Sequence, residues 1–152
     1  MISPAPDKHI VDILIEERAP KLAASIFWPL IRPILNWVLG YKKAVFMTDH
    51  VKNMSGENAF LFVSDLLKLN CEFSGFDKLP PNGRVIIICN HPTGIADGVA
   101  LFDILRKFRP DIFFYANADA LRICPKFDEI IIPVEWVESK RTHEKTKRTL
   151  KA

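Results

Sequence analysis

The chain has 152 residues, 49% of them hydrophobic, which is the size of one ordinary domain with enough apolar mass for a buried core. Its formal charge of +3 is uneven, because residues 138–152 hold six Lys/Arg against Glu138 and Glu144; the run reads as a solvated helix face, and no nucleic-acid partner is expected. Three scattered cysteines (Cys71, Cys89, Cys124) without a CxxC exclude a disulfide framework and a zinc knuckle and point to a reducing compartment.

The N-terminal stretch "MISPAPDKHIVDILIEERAP" carries acids among its apolar residues and no basic region ahead of an apolar core. It is not a secretory signal, and export is not expected. Residues 22–40, "LAASIFWPLIRPILNWVLG", form the most apolar window. Pro29 and Pro33 would kink a continuous helix, and Arg32 in mid-bilayer would cost at least about 2.5 kcal/mol. The segment is therefore expected to lie in a membrane interface, Lys21, Ser25, Arg32 and Asn36 forming a narrow polar stripe. Phe27, Trp28, Trp37 and Tyr41 would be the interfacial residues. A kinked helix packed on the domain's own core is the alternative.

Ser55 is a candidate cap for a helix whose apolar positions 59, 60, 63, 66 and 67 share one face. "LNCEFSGF" alternates apolar and polar residues as a half-buried strand does, and "DKLPPNGR" is a turn. "VIIIC" (85–89) has the β-branched continuity of a parallel strand covered on both faces. Ile95, Val99, Phe102 and Leu105 recur at helical spacing. "DIFFYANA" and "EIIIPVEW" read as two further strands joined by "DALRICPKFD", and "THEKTKRTL" closes the chain as a charged helix. The order predicts an α/β fold with a partly parallel sheet and flanking helices, preceded by apolar or amphipathic N-terminal helices. Residues 1–56 are expected to form the interfacial helical region and 57–152 the α/β region.

Between "VIIIC" and the following helix lies "NHPTGIADG". Ligands of open α/β sheets collect where strands end and helices begin. His91 leaves the strand there, and Asp97 falls in the first helical turn, within reach of an imidazole nitrogen. A carboxylate on one ring nitrogen fixes the tautomer and stabilises the imidazolium, so the pair could act as a general base. A turn histidine bonded to a capping acid would show the same residues. Gly94 could admit a ligand or relieve crowding; Gly98 is read as relieving crowding. Cys89, in its apolar run, reads as a buried structural thiol rather than a nucleophile. Cys89, His91 and Asp97 match no common zinc spacing, and no metal is expected.

"CEFSGFDKLPPNGRVIIICNHPTGIADGVALFDIL" resembles the first signature block of the glycerolipid (lysophospholipid, 1-acylglycerol-3-phosphate) acyltransferases. Asn90, His91 and Asp97 match that block in type and order, with five residues between His and Asp instead of the common four. The resemblance implies an O-acyltransferase in which His91 and Asp97 are catalytic, the histidine deprotonating the hydroxyl of a lysophospholipid such as lysophosphatidate. The hydroxyl then attacks an acyl-CoA or acyl carrier protein thioester. It implies no cofactor and no side-chain nucleophile. Asn90, Thr93 and Gly94 would bind substrate. The family's phosphate-binding Arg has no direct counterpart in "IIIPVEWVESKR", where Glu135 and Trp136 stand near its position, and Arg141 is the substitute. The implied location is the cytoplasmic face of the cell (inner) membrane, peripheral or monotopic.

The family's later Gly-containing block is absent. The fold is therefore expected to be truncated before its last strands, and this chain alone to be weakly active or inactive. A different class of function, a non-catalytic module of the same fold that binds a membrane surface or a partner, is the alternative; a hydrolase using His91 on water is a third.

Overall fold

A computed structural model describes residues 8–151; residues 1–7 of the N-terminal stretch and Ala152 lie outside the described residues. Two compact units divide the chain between Asn53 and Met54.

The first unit is helical: α1 (Ile10–Arg18), α2 (Pro20–Ala23), α3 (Trp28–Val38) and α4 (Tyr41–Val51). The imidazole of His9 caps α1 by accepting from the Val11 amide at 3.2 Å. The chain breaks between α2 and α3, so Pro29 falls in the first turn of α3, where its missing N–H costs nothing. Only Pro33 sits inside the helix. Gly40, at φ 66°, turns the chain from α3 into α4. Arg32 does not belong to a solvent-facing polar stripe. Its guanidinium donates to Asp12 at 2.7 Å, and the Tyr41 hydroxyl donates to the other oxygen of the same carboxylate at 2.9 Å. Buried Asp12 thus ties α1 to α3 and to the start of α4. Helix α3 directs half-buried Arg32 at Asp12 and leaves Phe27, Leu30, Ile34 and Trp37 exposed at helical spacing.

The second unit is helix-rich, with a small parallel sheet, a mixed α/β arrangement: α5 (Gly56–Leu67), α6 (Ile95–Leu105), β1 (Phe114–Asn117), α7 (Asp119–Ile123), β2 (Ile131–Val134) and α8 (His143–Lys151), with 3-10 turns at Phe76–Lys78, Pro125–Glu129 and Glu138–Lys140. Strands β1 and β2 pair in parallel from Phe114↔Ile131 to Asn117↔Val134, and α7 lies in the connection. Ser55 caps α5 as its sequence suggests, its hydroxyl accepting from the Asn58 amide at 3.3 Å. Phe102, Ile130 and Ile131 form the core. The ring of Phe60 joins α6 to β1, 4.9 Å from Phe102 and 5.3 Å from Phe114 between centroids.

Two expected strands are absent. Residues 69–75 are irregular, and so are 84–91, which include "VIIIC". Ile86 and Ile88 are 85% and 89% exposed, against 40% and 45% for Val85 and Ile87, so the segment alternates like an extended chain with one side partly covered. β-Branched residues favour a strand only against neighbours that fill the pleat. No ladder forms here, and "VIIIC" is not covered on both faces. Cys89 is correspondingly exposed rather than a buried thiol; Cys124 is the buried one.

Candidate active site

The loop from His91 to Gly94 folds back on the first turn of α6. Gly94 is the residue before the helix, at φ 66° and ψ −120°, a region that only glycine enters without strain. A Cβ there would meet nothing within 4 Å, so the residue is required by the backbone and not by a close approach; the same open space surrounds Gly98. The Gly94 carbonyl accepts the Asp97 amide at 3.1 Å and starts the helix. This places Asp97 at the third helical position, its carboxylate pointing back over the loop.

Three groups meet that carboxylate. Nδ1 of His91 is 3.2 Å from one oxygen, Oδ2, which also accepts the Thr93 amide at 2.9 Å. The Thr93 hydroxyl donates to the other, Oδ1, at 2.5 Å. The Thr93 hydroxyl, then its amide, hold Asp97 below the usual carboxylate range, and the nearby imidazole acts in the same direction. The carboxylate is thus ionised and oriented. A ring nitrogen facing an ionised carboxylate at this distance is the protonated one, which leaves the lone pair on Nε2 of His91. His91 is 56% exposed at its side chain, so that nitrogen is open to a substrate.

Among the expected binding residues, Asn90 and Thr93 are exposed beside His91. Thr93 turns its hydroxyl to Asp97. Arg141 makes its contacts within its own segment, donating to the carbonyl oxygens of Glu135 at 3.0 Å and Trp136 at 3.4 Å. Glu135 is held below the usual carboxylate range by Lys145, whose ammonium lies 2.8 Å away. Of the four expected interfacial residues, Phe27 and Trp37 are exposed, Trp28 is half-buried, and Tyr41 is turned to Asp12. Among the described residues no three His, Cys, Asp or Glu side chains are grouped to hold a metal ion. The sequence reading missed the double contact of Thr93. An acid at the third helical position reaching back to the chain before the helix is the signal that could have found it.

A family model described as Acyltransferase matches residues 70–152. A lyso-glycine lipid O-acyltransferase of Phocaeicola vulgatus is 40% identical over 90 residues, which cover 59% of this chain and 32% of that protein. The chain spans about a third of the length of that relative. No solved structure matches it.

Proposed function

The chain belongs to the acyltransferase family, and from that membership we propose that it moves a fatty acyl group from an acyl-CoA or acyl carrier protein thioester to the hydroxyl of a lyso-lipid, with His91 as the general base. The observation that carries this reading is the 3.2 Å contact between Nδ1 of His91 and an ionised Asp97. Nε2 takes the proton of the acceptor hydroxyl as its oxygen attacks the thioester carbonyl carbon. The C–O bond forms, the C–S bond breaks, and the departing thiolate recovers the proton from the imidazolium. Asp97 stabilises the charge that the ring carries between the two events. A thioester is already activated, so no acyl-enzyme is required, and the exposed Cys89 has no part in the reaction. The lyso-lipid acceptor is supported by the relative, whose name gives a lyso-glycine lipid. Lysophosphatidate is the acceptor we propose first.

The protein, given a radiolabelled acyl thioester and a panel of lysophosphatidate, other lysophospholipids and lyso-glycine lipid, is expected to label one acceptor class, at the low rate expected of this chain alone. His91→Ala should lower that labelling by about 100-fold or more. Equal labelling by the variant would show that His91 is not the base, and free fatty acid without acylated acceptor would show a hydrolase.

The second reading, a non-catalytic membrane-surface module of the same fold, shares with the first a seat on lipid, which the exposed face of α3 favours. We propose that Phe27, Leu30, Ile34 and Trp37 enter the headgroup region as a peripheral anchor. No described helix is long and apolar enough to cross a membrane.

A further inference from the structure

We propose that Thr93 is a positioning residue that aims Asp97 at His91 through its hydroxyl and amide, and so fixes which nitrogen of His91 is left for the acceptor. This rests on the reading of His91 as the base. The geometry is specific. A carboxylate on a side chain with two rotatable bonds turns freely unless both oxygens are engaged, and here the Thr93 hydroxyl engages Oδ1 while its amide engages Oδ2. Rotation of the carboxylate would break both contacts at once. With the plane fixed, Oδ2 faces Nδ1 of His91 at 3.2 Å. An outer partner that orients a functional side chain in this way acts through that side chain and does not touch substrate.

A threonine that only capped α6 would hold the helix start and leave the imidazole indifferent to its loss. The two roles separate by spectroscopy on the whole chain. In the wild-type protein the ¹⁵N signals of neutral His91 should show a proton on Nδ1, and the ¹³C signal of the Asp97 carboxyl should titrate below the ordinary aspartate range. Thr93→Val is expected to shift the ring toward the Nε2–H form and bring the Asp97 titration up toward its ordinary position. Thr93→Ser, which keeps both donors, should restore both signals. Thr93→Ala against Thr93→Ser makes the same comparison if valine is not accommodated.

In acyl transfer, Thr93→Val should lower kcat by about tenfold while leaving KM for the lyso-lipid unchanged. Unaltered His91 and Asp97 signals in the valine and alanine variants, or a change confined to KM, would overturn the proposal. The shifts with serine rescue, in a protein that transfers no acyl group, would uphold the positioning role and refute acyl transfer by this chain alone.

Discussion

Arg109 spends its guanidinium on three partners. It grips both oxygens of Asp111, at 2.8 and 2.7 Å, and donates to the carbonyls of Pro80 and Gly83 at 2.8 Å each. A planar fork suits this arrangement, which a lysine could not reproduce. The Arg109 hydrogen bonds hold the Asp111 carboxyl down to about 2. Because the folded value lies below the unfolded one, the pairing contributes stability above the ordinary carboxylate range and loses it as pH falls toward about 2. Asp97 follows the same sign through its Thr93 bonds. Arg109→Lys is expected to raise the Asp111 titration toward the ordinary range and to speed amide exchange in the 80–83 turn; both are read by NMR. An unchanged Asp111 titration would mean that the fork is not formed in solution.

The N-terminus of α5 shows what an element demands of its neighbours. The Gly56 amide, left without a helical acceptor, donates to the Glu129 carboxylate at 3.0 Å. A Cβ on Gly56 would sit 2.8 Å from the Lys126 carbonyl oxygen and 2.9 Å from Cγ2 of Ile130. Gly56→Ala should therefore destabilise the protein by about 1–3 kcal/mol in denaturant unfolding, despite alanine's better helix propensity. A neutral or stabilising result would mean that the Pro125–Glu129 turn gives way. Helices such as α5 and α6 could be read from the sequence because their caps and apolar spacing are local, and β1 and β2 because turns bound them. The link between Gly56 and Glu129 joins residues 73 positions apart and has no local signature. The same holds for Arg32, whose partner Asp12 lies 20 positions away and reverses the face that α3 shows to solvent. "VIIIC" failed for the opposite reason: its composition is that of a strand, and strand formation needs a partner that propensity does not supply.

Over the whole molecule, apolar surface is left open in both units, along α3 in the first and at Ile86 and Ile88 in the second. Large exposed apolar patches mark contact with lipid or protein. Trp37, 84% exposed, is the largest side chain of the α3 face. Trp37→Asp should weaken partition to phospholipid vesicles by about tenfold or more in a co-sedimentation assay, whereas His91→Ala should leave partition unchanged. Equal sedimentation of the Trp37 variant would remove the anchor. The proposed site is built differently from both surfaces. Its contacts join residues at most six positions apart, whereas the core must bring Phe60 to Phe127. Closing so short a segment costs little chain entropy, so the His91 to Asp97 turn can form as fast as its helix nucleates, ahead of the β1–β2 pairing. The turn of the proposed site then takes shape early in folding, and the packing of the core around Phe60 arrives later.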